Sequence, residues 1–590
     1  MRKVLRNPIL LIFLTIFNYG CDSGSKPASK VPIAKKPITT QPVAKATSIS
    51  KLRFPAGESP NRITKDFRNT TITMETDLNQ IRLQGEWVFA TPFNKHDGLG
   101  DGPINLKNKI QPGGRLTLPA FPAIDDKPAE GNQYFLRVNG LDSQTCVECH
   151  FIVSNSSIPA KFGVGGVGGM AAAAFPATTR FLPASQGPKS TTAANFNGRI
   201  INPPFIFGSG GVELLAKEMT ESLHQLLHDA SNPPEIGKPI YLKTHGVNFG
   251  YVVWEQTGEN NSQEEIPDTQ TNCDAMDKKT KKMVELEHFI AISPAPKLYA
   301  WKGSSDYGTK AMVKSKEMVS KHKGEAPGLV LDTSNLKGVD GDLVIKPFGR
   351  KGNNVTTRDF DCGAIRFHMG MEPVEIVGKD VDNDGDGIVN EITIAELSAL
   401  SIFNTTTPKP RQEPYQGIGK KVFEDIGCSE CHVPVMKTKG HILPYQQPEQ
   451  PQQPFSDKNK YYEVDLVNSP ANFEVDPENS EGMLVKLFSD LKRHDMGPRL
   501  QESLTSASAE ENRSFITARL WGVADTAPYL HDGRATTLTE AIEWHDGEGK
   551  SARNNFIALN KNKKEALIAY LRSLRTPLPE ELQVNLVEKK

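Results

Sequence analysis

Ile418-Gly419-Lys420-Lys421-Val422-Phe423-Glu424-Asp425-Ile426-Gly427-Cys428-Ser429-Glu430-Cys431-His432 is the stretch on which the fold turns. Its apolar residues fall at helical spacing, and the helix they predict runs directly into a C-x-x-C-H pentapeptide. Two thiols at that spacing can add across the vinyl groups of one haem. The histidine that follows is placed to swing its imidazole onto the iron from the same side. The pentapeptide occurs twice, because Cys146-Val147-Glu148-Cys149-His150 repeats it, with the two histidines 282 residues apart. Structural zinc needs four ligands, and neither run has a second C-x-x-C nearby. Two covalently bound haem c groups are therefore expected, one on Cys146, Cys149 and His150 and one on Cys428, Cys431 and His432.

The remaining cysteines and the N-terminus speak to compartment. Arg2, Lys3 and Arg6 precede an apolar run from Ile9 to Phe17, too short to span a bilayer, and Gly20-Cys21-Asp22 follows where a peptidase would cut. Residues 1–21 read as a signal peptide, with two outcomes for Cys21: lipidation, as in a lipoprotein, or simple cleavage. Residues 22–60, rich in Lys, Pro, Ala, Ser and Thr, read as a disordered linker. The expected location is the periplasm or cell envelope, with a lipid anchor at Cys21 as the contact with the membrane. An oxidising compartment would permit Cys273 and Cys362 to pair. A net charge of -1 excludes a strongly basic nucleic-acid binder.

The rest of the chain exceeds one core. Residues 61–407 are expected to form an N-terminal haem c domain with insertions, and residues 408–580 a C-terminal cytochrome c domain. The expected fold is mainly α: two cytochrome c-like haem domains, the first with large insertions containing short strands, such as one around Tyr251-Val252-Val253-Trp254. Leu567, Ile568, Tyr570, Leu571 and Leu574 cluster on one face of a closing helix, which would cross the helix before Cys428. The Gln- and Pro-rich stretch from His441 to Pro454 reads as a loop.

Asp380, Asp382, Asp384, Gly385 and Glu391 fall at positions 1, 3, 5, 6 and 12 of an EF-hand loop, a spacing that wraps oxygen ligands round a hard cation. Gly387 stands where such a loop has an aliphatic residue, and a register shifted by two puts Val389 there but loses the terminal acid to Thr393. Calcium held by Asp380, Asp382, Asp384, Asp386 and Glu391 and an unoccupied acidic turn are both open.

Thr526-Ala527-Pro528-Tyr529-Leu530-His531-Asp532-Gly533-Arg534-Ala535-Thr536-Thr537-Leu538-Thr539-Glu540-Ala541-Ile542 resembles the bacterial di-haem cytochrome c peroxidase superfamily. Asn202-Pro203-Pro204-Phe205-Ile206-Phe207-Gly208, the Asp382–Glu391 segment and Ala399-Leu400-Ser401-Ile402-Phe403-Asn404 resemble its di-haem oxidoreductase subfamily. The resemblance implies an N-terminal haem that reacts with peroxide and a C-terminal haem that relays electrons. In the peroxidases the second axial ligand of the relay haem, usually methionine, lies fourteen positions after the histidine of the H-D-G run. Here that position is His545, counted from His531. A His432/His545 pair would lower the potential relative to a His/Met haem.

Before Met369-Gly370, where the peroxidases carry a catalytic glutamate, this chain has His368, with Glu372 close by. His368 could be the acid/base, or could bind the iron and close the site until reduction moves it; Glu372 is the next candidate. The function expected is an exported di-haem c-type oxidoreductase reducing hydrogen peroxide, fed by a small redox protein, a cytochrome c or a cupredoxin. The alternatives are an oxygenase or protein-modifying enzyme of the same superfamily, and a pure electron-transfer cytochrome. Trp254, Trp301 and Trp521 are candidates for the position between the haems.

Overall fold

The main helices before residue 410 are α1 (Leu78–Ala90), α2 (Ser209–Ala230), α3 (Thr357–Ala364) and α4 (Ile394–Thr405) in a computed structural model that describes residues 65–100, 133–137, 143–150, 176–181, 192–196, 202–231, 233–256, 329–502 and 509–578. The expectations for residues 1–21 with Cys21, for the 22–60 linker, for Cys273 and for Trp301 lie outside the described residues. The side chain of Asp77 accepts from the Gln80 amide and starts α1, while α3 and α4 open on capping boxes, Thr356 with Asp359 and Thr393 with Glu396. Each cap satisfies amide donors that the first helical turn leaves open.

Helices α1 and α4 cross at Gly85, where a Cβ would overlap the Ala399 carbonyl oxygen and stand 2.5 Å from Phe403 Cβ. Arg82 Nε donates to Thr406 Oγ1 at 2.9 Å in the same seam. Replacing Gly85 by leucine is expected to force the helices apart and cost roughly 1–3 kcal/mol or more. A urea titration would read this as a lower midpoint, and an unchanged midpoint would show that the seam yields freely.

In chain order, two antiparallel three-stranded sheets fall between these helices. The first is β1 (Gln133–Arg137), β2 (Pro176–Phe181) and β3 (Thr192–Phe196); the second is β4 (Pro239–Thr244), β5 (Val247–Gln256) and β6 (Leu329–Asp332). The Tyr251–Trp254 stretch lies within β5. Beyond residue 410 come β7 (Arg411–Gln412), α5 (Gly419–Asp425), β8 (Met436–Lys437), β9 (Ile442–Gln446), β10 (Lys460–Asp465), β11 (Glu474–Asp476), β12 (Asn479–Val485), β13 (Arg493–Asp495) and β14 (Ser514–Ile516). Helices α6 (Leu538–Trp544), α7 (Lys550–Ala558) and α8 (Lys561–Leu571) and strand β15 (Leu574–Arg575) close the described chain.

A mainly α architecture is not what forms. The described residues are 34% helix and 19% strand, and the strands make several small sheets, so the fold is mixed α and β. Six of the fifteen described strands have only two or three residues, too few for a period-2 pattern, and burial of successive residues erases the alternation elsewhere. Strand β9 is an instance. Read as part of a loop, it pairs with β10 and buries Leu443, Pro444, Tyr445 and Gln446 in succession.

Two apolar clusters divide the described core. The larger gathers α1, α2, α4 and the β4–β6 sheet and takes in Met436, Leu443, Tyr445, Val464, Met483 and Val485 from the strands after α5. The smaller is built from Val422, Phe423, Phe488, Phe556, Leu567, Tyr570, Leu571 and Leu574. The expected crossing of α5 and α8 is present. It happens at Gly419, where a Cβ would overlap the Ala566 carbonyl oxygen and meet Tyr570 Cβ at 2.7 Å.

Candidate functional site

Helix α5 ends on Gly427, whose φ of +91° turns the chain into a single 3₁₀ turn, Cys428–Glu430. The His432 amide closes that turn on the Cys428 carbonyl at 3.0 Å. The His432 ring donates from Nδ1 to the Phe488 carbonyl at 3.1 Å, and the His545 ring, at the C-cap of α6, donates from Nδ1 to the Ala541 carbonyl at 2.8 Å. Both rings keep Nε2 for another partner. Their centroids are 6.4 Å apart with the planes at 59°. Two imidazoles on opposite sides of one metal, each bonded at roughly 2 Å, bring their ring centres to about that separation. Burial, then the charge of His545, lowers the His432 pKa to about 4, and burial lowers that of His545 as well. Both rings are therefore neutral at physiological pH, the form that binds a metal. These residues fit a haem, which Cys428 and Cys431 would hold and whose iron His432 and His545 would bind.

The first pentapeptide has the same local build. Thr145 Oγ1 accepts from the Val147 amide at 2.8 Å and donates to the Phe89 carbonyl, tying the turn to α1. Cys149 and His150 close it on the Cys146 carbonyl at 3.2 and 2.8 Å. The Phe89 ring lies 6.3 Å from that of His150. Burial, and next the charge of His368, lowers the His150 pKa to about 4, with the Pro204 carbonyl opposing. His368 thus lies near enough for its charge to act on His150, across 218 residues of sequence.

The device that carries His368 differs. Helix α3 continues as one π-helical turn, Ile365–Met369, before Gly370 breaks it at φ +74°. A π turn inserts one residue into a helix and re-aims the side chains after it, a feature common at functional sites. Arg366, 1% exposed, buries a guanidinium in the same turn. Sequence periodicity gave no sign of this turn.

Glu372 bonds to the acidic loop. Its amide donates to Glu391 Oε2 at 2.7 Å and its Oε1 accepts from Asn383 Nδ2 at 3.0 Å, which places it with the acidic loop. In that loop Asp382, Asp384 and Asp386 bring carboxylate oxygens within 4.8 Å of one another. Asp380 instead pairs with Asn390 in both directions at 2.7 Å and closes the loop ends. Glu391 is buried against Gly98, and burial, with Asp384, Glu372 and Asp386 adding repulsion, pushes its pKa up to about 9.

Other candidates are placed as follows. His531 stacks on Phe515 at 4.5 Å, and burial lowers its pKa to about 4. His494 is held between two carboxylates. Cys362 is buried in α3. Trp254 donates to Ser231 Oγ at 3.0 Å within the larger core. Trp521 packs on Phe473 and Gly208 in the larger core, two residues before Val523 of the smaller one, so it stands at the boundary of the two.

Residues 479–574 match the family model described as “Di-haem oxidoreductase, putative peroxidase”, the family that the motifs resemble. The matched segment runs from β12 to β15 and includes His531 and His545, while both C-x-x-C-H runs lie outside it. The class it supports is a haem-dependent oxidoreductase. A structure of hydrazine synthase from Kuenenia stuttgartiensis, pressurised with 20 bar xenon, is similar at 19% identity and a TM-score of 0.21, covering 37% of this chain and 61% of that one. A likeness at that score carries no argument about fold or activity. No curated protein matches the chain.

Proposed function

We propose that this chain is an exported di-haem c-type oxidoreductase that reduces hydrogen peroxide at the His150 site. Its electrons come from a small redox protein, a cytochrome c or a cupredoxin, and enter at the His432/His545 site. The observation that carries the reading is the contrast between the backbone that holds His545 and the backbone that holds His368. His432 and His545 are each pinned through Nδ1 to a backbone carbonyl, one at a loop and one at a helix cap, as suits a centre that changes only its electron count. His368 rides on a π turn that Gly370 breaks, as suits an imidazole that must act on a substrate or move aside.

Haem at the His150 site would supply an iron that takes a peroxide oxygen and passes it electrons. The chain must supply the proton. Cleaving the O–O bond to release water requires a proton to move from the inner to the outer oxygen, and His368 is the residue we assign to hold and transfer it. The buried guanidinium of Arg366 adds positive charge to the same turn. Trp521, at the boundary of the two cores, is the tryptophan we place between the haems. Stopped-flow mixing of the reduced protein with hydrogen peroxide, followed by a reduced cytochrome c or cupredoxin, tests the reading. Peroxide-dependent oxidation of the donor is expected; oxidation of the donor that peroxide does not accelerate would favour a pure electron carrier.

The acidic loop is the second part of the proposal, with calcium held by Asp382, Asp384, Asp386 and Glu391. A hard cation favours oxygen donors and would relieve the repulsion that raises the Glu391 pKa. Without cation, the folded state keeps a proton on Glu391 that the unfolded state releases above about pH 4.5, so stability should fall as pH rises from there toward 9. Thermal unfolding in a chelator is expected to show that decline, and excess calcium is expected to remove it. Identical curves with and without calcium would leave the loop without a cation.

A further inference from the structure

His494 lies on β13 with 8% of its side chain exposed, and both ring nitrogens are engaged. Nε2 donates to Asp490 Oδ2 at 2.9 Å, and Nδ1 donates to Glu548 Oε2 at 2.8 Å. The same Nδ1 stands 4.0 Å from Cys431 Sγ. Its three contacts thus reach both halves of the C-terminal haem site. Cys431 immediately precedes His432, and Glu548 follows His545 by three residues.

The loop carrying His545 is fixed to β13 at further points. Glu548 Oε1 accepts from the Asp495 amide at 2.9 Å, and a Cβ on Gly497 would meet the Gly547 amide nitrogen at 2.6 Å. Asp490 is itself oriented by Thr517 Oγ1 at 2.7 Å and by the Lys492 amide at 3.0 Å. Burial alone would discharge the imidazole. Hydrogen bonds with the Asp490 and Glu548 carboxylates, one on each ring nitrogen, raise its pKa and hold the ring as a cation. Asp490 and Glu548 more than balance that charge.

We propose that His494 is a positioning residue of the C-terminal haem: its cation holds the His545 loop in place through Glu548 and sets the potential from beside the Cys431 thioether. The proposal rests on the reading that His432 and His545 share one haem iron. A positive charge beside a haem opposes the extra positive charge of the ferric state and raises the potential; a negative charge lowers it.

The sign of the effect separates this role from a merely structural one. In the full-length protein with both haems attached, spectroelectrochemical titration is expected to give a lower C-terminal midpoint for His494→Gln and a raised one for Glu548→Gln. His494→Arg, which keeps the charge between the same carboxylates, should stay near the unmodified value. Loss of the charge-assisted bond should also speed cyanide binding to that haem by about ten- to a hundredfold in His494→Gln. Midpoints that move the same way in His494→Gln and Glu548→Gln, or do not move, would overturn the proposal. If His494→Arg does not accumulate, the opposed glutamine pair still decides. Absence of a two-histidine low-spin signal in the unmodified protein would overturn the shared-iron reading and the proposal with it.

Discussion

Replacing His545 by alanine is expected to convert the C-terminal ferric haem from low spin to high spin and to abolish reduction of the N-terminal haem through it. The reasoning is geometric. His545 meets His432 at a ring separation of 6.4 Å, and its Nδ1 is taken by the Ala541 carbonyl, so Nε2 is the nitrogen available to the iron. Losing one of two strong ligands leaves His432 alone with water or nothing opposite. His494 cannot take over, because both its nitrogens are bound to carboxylates. Met496 is the residue to watch, since its methyl group and the His545 ring both border Gly549. Electron paramagnetic resonance of the variant checks the outcome, and a low-spin signal that survives unchanged would remove His545 from the iron.

The second large effect concerns His368. If it moves the proton, His368→Ala should leave the haem spectra nearly intact and slow peroxide cleavage by roughly 10² to 10⁴, the range for losing a positioned acid/base. His368→Ala protein that instead becomes high spin and binds peroxide faster would show that the ring is a ligand which closes the site. Unchanged spectra and unchanged kinetics would dismiss both roles. Glu372, which bonds to the acidic loop, would then be the next residue to test.

Much of the candidate site was legible because the C-x-x-C-H spacing and the family resemblance name residues directly. The pentapeptides name their six residues, and the fourteen-residue offset from His531 points to His545 without any gap. The crossing of α5 and α8 was legible too, since apolar residues at helical spacing survive in both helices. The sheets were not. Strands of two or three residues such as β7, β8, β11 and β13 are shorter than any periodic signal, and β9 reads as a polar loop because its buried positions include Pro444 and Gln446. The His494 clamp was also hidden, because its partners lie 4 and 54 residues away and no local pattern joins them. In the acidic loop the spacing identified the ligand types, but Asp380 is drawn to Asn390 by a side-chain pair that a register count does not contain.

The central claim is a division of labour: one haem site locked by two anchored histidines and one that meets peroxide. Electron paramagnetic resonance of the fully ferric protein, recorded before and after adding hydrogen peroxide, tests it most directly. The account predicts one low-spin signal that His545→Ala abolishes and peroxide leaves in place, and a second signal, from the His150 site, that peroxide alters. Two low-spin signals that both persist unchanged with peroxide would contradict it and make the chain an electron carrier.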